Sequence, residues 1–355
     1  MSRIEKIQKL LEREGLDAIL LRDPYNRRYA TGFASSAGFA LIARSEAFFV
    51  VDSRYIEAAR ERISGMTVGQ STSEMSERVW LEQIVRDCAI SAIGFEEESL
   101  SWKEVQTLED ETIAQLIPAQ SIMKELRASK DTGELEHLKA AQRIAEKAFG
   151  EVLGIIKQGM TENEVAAELT YRMMKYGGEG NSFPPIVVTG KKSSMPHGTP
   201  GDVIIQQGDF LTMDFGCVKN GYCSDTTRTV AIGSATEEMC RVYDTVLKAQ
   251  LAGIAAARPG ALGREIDSAA REVITRAGYG EYFGHGFGHS LGLEVHETPG
   301  ASPSSNVKLS EGTVISAEPG IYLPGKFGVR IEDVIYLRDG CCENITTAPK
   351  ELIIL

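Results

Sequence analysis

Two aspartates eleven positions apart, Asp214 and Asp225, lie in the run Phe210–Ile232 on either side of Asn220-Gly221. Asn-Gly between two β-rich runs is a strong signal for a two-residue hairpin turn. Counting outward from that turn puts Lys219 opposite Tyr222 and Asp225 opposite Gly216, with Asp214 two residues along on the same face. Diagonal neighbours of this kind are roughly 7–8 Å apart in the backbone, so their side chains can converge on one ligand. Two like charges in a partly buried sheet are costly, and a bound cation removes the cost. Gly216, with no side chain, would leave room for what they hold. The plainer alternative is a hairpin whose acids face solvent, and the hairpin alone does not separate the two.

Histidine is scarce, which makes its placement informative. Of five in the chain, His137 falls in a long charged helix and reads as a surface residue. The others are His197, in Ser194-Met-Pro-His-Gly, and His285, His289 and His296, all within Gly284–Glu297. Glycines in that stretch allow close backbone approach, and Leu291, Leu293 and Val295 suggest a strand. Neutral imidazole is the usual nitrogen ligand of catalytic divalent metals. Downstream come Glu318, in Ser316-Ala-Glu-Pro-Gly, and Glu332, in Gly328-Val-Arg-Ile-Glu-Asp-Val. A glutamate among Val329, Ile331, Val334 and Ile335 is not buried without a partner.

Asp214, Asp225, His289, Glu318 and Glu332 thus offer four carboxylates and one imidazole. That set suits a pair of hard to borderline cations, with Mn²⁺ or Co²⁺ favoured by the oxygen-rich ligation and Zn²⁺ the further candidate. Two such ions roughly 3.5–4 Å apart can share a hydroxide and polarise a carbonyl. Glu297 and Asp333 adjoin these positions but, on strands, would point to the opposite face, and they are excluded.

The elements that must position these residues fall into two parts. The chain has 355 residues, too long for one ordinary domain. Residues 3–14 read as an amphipathic helix, followed by a strand at Ala18–Leu21 that Asp23-Pro24 ends. Strands at Ala40–Ile42, Ala47–Val51 and Ile93–Phe95 and helices at Tyr55–Arg62 and Ser76–Asp87 complete an α/β segment. The texture changes near residues 125–132, which divides the chain into 1–127 and 128–355. A long helix spans Gly133–Lys157, and a second opens at Thr161, where Thr161 and Glu164 form a capping box. The second part repeats itself: Lys147-Ala148, Gly159 and Glu164-Val165 recur at one constant offset as Lys248-Ala249, Gly260 and Glu265-Ile266, each time before β-rich sequence. A pseudo-twofold duplication is implied.

Composition narrows the function classes. Hydrophobic content of 43% and charged content of 25% match a globular protein. A net charge of -12 would repel phosphate backbones and anionic lipid, which argues against nucleic-acid and membrane partners. No apolar run is long enough to span a bilayer, and Met1–Gly15 is charged and amphipathic rather than a signal peptide, so a cytoplasmic location is expected. The scattered cysteines, Cys88, Cys217, Cys223, Cys240, Cys341 and Cys342, read as reduced thiols, the vicinal pair as a turn after Asp339-Gly340.

Taken together, these residues resemble the pita-bread metallopeptidases, a family that includes methionine aminopeptidase, aminopeptidase P and prolidase. Asp214, Asp225, His289, Glu318 and Glu332 match the five ligand positions, with the aspartate spacing and the GHxxGLxxHE context of the histidines. The resemblance implies an α/β N-terminal domain plus an α+β pita-bread (creatinase/aminopeptidase) catalytic domain with an internal pseudo-twofold repeat. It further implies that Asp214 chelates one cation, His289 and Glu318 the other, and that Asp225 and Glu332 bridge both around an attacking hydroxide. By the same resemblance Glu318 is the proton shuttle, His197 and His296 bind substrate in the pocket, and Arg330 stands near the bridging glutamate; the family often has a histidine at the position of His285, whose role its spacing does not assign and for which structural support is the default.

Asn26–Phe33 and Val51–Tyr55 resemble the N-terminal domain of the proline-specific peptidases and creatinase. That likeness implies cleavage before proline in small peptides with proline in the second position, and a homodimer. Three readings stand: an Xaa-Pro dipeptidase or aminopeptidase, another metal-dependent aminopeptidase or amidohydrolase on the same scaffold, and a non-catalytic binding protein.

Overall fold

A computed structural model describes all of residues 1–355, which form two compact units, Met1–Arg127 and Ala128–Leu355. In the first unit the elements are α1 (Arg3–Glu14), β1 (Ala18–Leu21), α2 (Pro24–Thr31), β2 (Phe39–Ala43), β3 (Ala47–Val51), α3 (Ile56–Arg62), β4 (Thr67–Gln70), α4 (Glu77–Asp87), β5 (Ala92–Phe95), α5 (Trp102–Glu111), β6 (Gln115–Pro118) and α6 (Gln120–Ala128). The strands make one mixed sheet in the order β4-β3-β2-β1-β5-β6. Its centre, β1, is an apolar run buried throughout, as a strand covered on both faces must be. Asp23-Pro24 does more than end β1. Asp23 caps α2 by accepting from the amides of Tyr25 and Asn26, and Pro24 takes the first helical position, where its missing N–H costs nothing.

The second unit runs α7 (Thr132–Leu153), α8 (Glu162–Lys175), β7 (Gly180–Asn181), β8 (Ile186–Thr189), β9 (Phe210–Phe215), β10 (Cys217–Lys219), β11 (Tyr222–Cys223) and β12 (Thr226–Ala231). It continues with α9 (Glu237–Ala256), α10 (Gly263–Arg276), β13 (Gly288–Ser290), β14 (Glu297–Ala301), β15 (Val314–Ala317), β16 (Gly320–Leu323), β17 (Phe327–Arg330), β18 (Asp333–Arg338) and β19 (Cys341–Asn344). The duplication is visible in three dimensions. Helices α7 and α8 precede the adjacent strands β8-β9-β12, and α9 and α10 precede β13-β15-β18 in the same order. Gly159 N bonds Ile205 O in the first half, and Gly260 N bonds Leu309 O in the second. Thr161 and Glu164 form the reciprocal cap in the first half; in the second, Leu262 holds the cap position and only the bond from its amide to Glu265 Oε2 is kept.

Each half has its own apolar core. Phe149 of α7 stacks on Phe215 of β9 at 5.5 Å, and Phe210 meets Phe327 edge-on at 5.4 Å within the other cluster. Burial of each such ring is worth about 2–3 kcal/mol, which fixes β9 and β17 between the helix pairs. The six cysteines are unpaired, and Cys341 and Cys342 open β19 beyond the Asp339-Gly340 turn. No helix is long and apolar enough to cross a membrane.

Candidate metal centre

Two long hairpins, one in each half, break at the positions of the acids. In the first, pairing runs from Lys219↔Tyr222 and Val218↔Cys223 to Thr226↔Phe215 and Thr227↔Asp214 without a change of register. Gly216 and Asp225 therefore face each other at the break, and Asp214 is the diagonal neighbour of Asp225. In the second, Gly320↔Arg330 and Ala317↔Asp333 flank the break, so Glu318 faces Glu332. The hairpins are joined by Glu332 N to Thr227 O at 3.0 Å and Thr229 Oγ1 to Arg330 O at 3.1 Å. Strand β13 brings His289 alongside: Ser290 pairs with Ile315, and His289 N donates to Ser316 Oγ at 3.0 Å.

Ligand atoms of Asp225, His289 and Glu332 lie within 4.8 Å of one another. Glu318 joins them, with Oε1 3.2 Å from His289 Nε2. Asp214 turns one oxygen, Oδ2, to Arg330 Nη2 at 2.6 Å, while its Oδ1 and Glu332 Oε1 are buried with no hydrogen-bond partner. Burial, then the charges of neighbouring acids, pushes the carboxyls of Asp225 and Glu332 well above the ordinary range. Burial also opposes ionisation of Glu318, but the bond to and charge of His289, together with the charges of His285 and Arg330, outweigh it and hold it at about 2. His289 Nδ1 faces Ser290 O at 3.1 Å, so that nitrogen carries the proton and Nε2 points at Glu318 and Asp225. Unpartnered buried oxygens, a converging imidazole and a hard, oxygen-rich donor set fit divalent cations.

Residues 136–339 match Metallopeptidase family M24, and residues 3–129 match the Creatinase/Prolidase N-terminal domain. The chain belongs to metallopeptidase family M24. Among solved structures, an Xaa-Pro dipeptidase from Bacillus anthracis is 40% identical, with 99% of each chain covered and a TM-score of 0.96. An X-Pro aminopeptidase from Thermotoga maritima is 38% identical over 97% of this chain and 99% of that one, with a TM-score of 0.92. An Xaa-Pro dipeptidase of Pyrococcus furiosus is 34% identical, with 99% of both chains covered. The chain is accordingly a peptidase of the pita-bread fold, and its family is one of divalent-metal enzymes.

In this M24 site a cavity of about 720 Å³ is lined by the four acids and His289 together with His197, His285, His296 and Arg330. His197 and His296 are solvent-facing, and the His296 ring meets His289 edge-on at 4.3 Å. Burial, then the charge of His289, lowers the pKa of His296 and favours its neutral form. Phe183, Pro184, Pro185 and Ile186 form an apolar wall of the same cavity.

Several expectations need correcting. Arg330 stands near Glu332 as expected, linked to it through Thr227, whose Oγ1 accepts from Arg330 Nε at 3.0 Å and donates to Glu332 Oε2 at 2.8 Å, but its direct grip is on Asp214. Gly216 does not open space for a cation: a Cβ there would lie 2.0 Å from Ser224 O and 2.3 Å from Ser182 Oγ, so the glycine permits close strand approach. Residues 291–296 are not a strand, because Gly292 N bonds Glu294 O and Gly292 O accepts from Cys223 N. His137 is half-buried at the tip of the first hairpin, against Tyr222 and Asn220.

Of the two acids set aside, Asp333 points away from the cavity, whereas Glu297 lines its edge. Asp333 is buried against Arg228 Nη2 at 2.8 Å and Lys350 Nζ at 2.6 Å, and Glu297 pairs with Lys130 Nζ at 3.0 Å. Sequence reasoning missed Thr227, Tyr322 and Ser316. Tyr322 OH accepts from Arg330 Nη1 and bonds His285 Nε2, both at 2.9 Å, which ties His285 to the Asp214 side of the site. Ser316 Oγ donates to Glu318 Oε1 at 2.9 Å. Only its place two residues before the glutamate, on the same strand face, could have signalled that role.

Proposed function

We propose that this chain hydrolyses the peptide bond preceding proline, as an Xaa-Pro dipeptidase or aminopeptidase, with two divalent cations held by Asp214, Asp225, His289, Glu318 and Glu332. Manganese or cobalt suits the oxygen-rich set best, with zinc the further candidate. Asp225 and Glu332 are assigned as shared ligands, Asp214 to one ion, and His289 and Glu318 to the other. The observation that carries the metal reading is the pair of unpartnered buried oxygens, Asp214 Oδ1 and Glu332 Oε1, facing a cavity with three more ligands. The proline preference is supported by the names of the relatives and by the matching N-terminal domain.

When bound, the cations supply activation of water at neutral pH and polarisation of the scissile carbonyl. The protein's own groups supply the rest. Glu318 Oε1 accepts from Ser316 Oγ, which leaves Oε2 to take a proton from the attacking water and deliver it to the departing proline nitrogen. His197 and His296, on the wall of the cavity, orient the substrate carbonyl and hydrogen-bond the oxygen that gains charge. Arg330 fixes Asp214 from behind. Cytoplasmic residence and a homodimer belong to the same proposal.

Reconstituted with Mn²⁺, the protein should cleave Xaa-Pro or Xaa-Pro-Yaa-Zaa peptides, and the ratio of the two rates tells dipeptidase from aminopeptidase. Faster cleavage of matched peptides with alanine in place of proline would overturn the proline assignment.

A further inference from the structure

The segment Thr189–Gly201 leaves β8, makes a short 3-10 turn at Gly190–Ser194, carries His197 along the cavity and returns toward β9. None of it is in a sheet beyond Thr189, so something else must hold its shape. Both of its ends converge on one side chain. Glu162, at the start of α8, accepts from Thr189 N through Oε1 at 2.9 Å and from Gly201 N through Oε2 at 3.0 Å. Lys192 Nζ, within the segment, completes the set at 2.5 Å from Oε2. Glu162 is 0% exposed, so its charge is out of water and depends on these three donors. Further contacts tie the middle of the segment to the metal side: Gly328 N donates to Ser193 Oγ at 2.9 Å, and Arg330 Nη1 to Pro196 O at 3.3 Å, one residue before His197.

We infer that Glu162 is a positioning residue for catalysis: by clamping the two ends of Thr189–Gly201, with Lys192 as counter-ion, it sets where His197 stands over the substrate. The inference rests on the assignment of His197 as a substrate-binding residue. A buried carboxylate on a distant helix is a costly way to close a surface segment, and its three donors all belong to the segment that bears this histidine. Misplacement of a catalytic side chain by about 1 Å can cost on the order of 100-fold in rate, so a partial loosening should be readily measurable.

The test is a double-mutant cycle on the Mn²⁺-loaded enzyme with an Xaa-Pro peptide, using Glu162→Gln, His197→Ala and the double variant, with Mn²⁺ affinity measured by calorimetry on each. The expected result is a loss of about 10-fold in kcat/KM for Glu162→Gln, a larger loss for His197→Ala, and a double variant no worse than His197→Ala alone, all with wild-type metal affinity. Losses that multiply would overturn the inference, as would an unaffected Glu162→Gln or a change in its metal affinity. A silent His197→Ala would overturn both the inference and the role given to His197, which separates that failure from the others. Should Glu162→Gln not fold, Lys192→Met takes its place in the cycle with the same expected coupling, and Lys192→Arg should restore activity.

Discussion

Replacing Glu332 by glutamine should stabilise the metal-free protein and remove its stabilisation by metal. Glu332 is 1% exposed, its Oε1 has no partner, and its other oxygen accepts from Thr227, a bond glutamine can keep. Its ligand atom lies within 4.8 Å of that of Asp225. For two unit charges at that separation, Coulomb's law with an effective dielectric constant near 20 gives a repulsion of roughly 3 kcal/mol. Glutamine removes this repulsion and offers an amide N–H to the neighbouring acid, so the metal-free variant should gain about 2–3 kcal/mol. For a unit of this size that is a rise in Tm of about 4–12 °C. Calorimetric melting in chelator at pH 8, repeated across a Mn²⁺ titration, reads both effects. A lower Tm for Glu332→Gln in chelator, or an undiminished rise on adding Mn²⁺, would refute the view that this acid is held for a cation.

The pH dependence of the metal-free protein follows from the same groups. The carboxyls of Asp225 and Glu332 are raised in the folded state, so folding takes up protons and stability should fall as pH rises from the ordinary carboxylate range through the raised values. Glu318, held at about 2, acts oppositely: its contribution is present above the ordinary carboxylate value and is lost on acidification toward pH 2. Denaturant midpoints in chelator between pH 3 and pH 8 measure the balance, and Glu332→Gln should flatten the upper limb. Gly216→Ala should cost about 1–3 kcal/mol and weaken metal binding, because its Cβ drives the backbone of Ser224, the neighbour of Asp225, away from β9; melting and calorimetry check the two parts. Arg330→Lys keeps the charge but not the fork that holds Asp214, Thr227 and Tyr322 together, and should lower kcat/KM by roughly 10- to 100-fold with Asp214 less well fixed; steady-state kinetics decide it.

The first hairpin was legible because its turn is simple. Asn220 and Gly221 both take positive φ, at 51° and 82°, so the two-residue count from the turn carries through the break as far as Thr227↔Asp214. The second hairpin resists the same count. Pro324-Gly325 suggests a two-residue turn, which would set Glu332 opposite Ala317. The turn instead takes three residues, Leu323 pairs with Phe327, and Glu332 faces Glu318. Leu291 and Leu293 mimic a strand because both are buried, although the backbone between them spends its bonds on Cys223 and Glu294. Buried ion pairs such as Glu162–Lys192 and Lys130–Glu297 join residues far apart in the chain and leave no local spacing to read. The helix caps and the duplication were open to the sequence, since both rest on contacts within a few residues or on a repeated pattern.

Five side chains from two hairpins and one short strand are assigned to the cations that would catalyse cleavage before proline. Titration of Mn²⁺ into chelator-treated protein, with hydrolysis of an Xaa-Pro peptide followed throughout, tests that assignment. Two equivalents should bind per chain, with turnover that rises with occupancy and is lost in Asp225→Ala. Less than one equivalent bound with no turnover on adding Mn²⁺ or Co²⁺, or wild-type turnover in Asp225→Ala, would contradict the assignment.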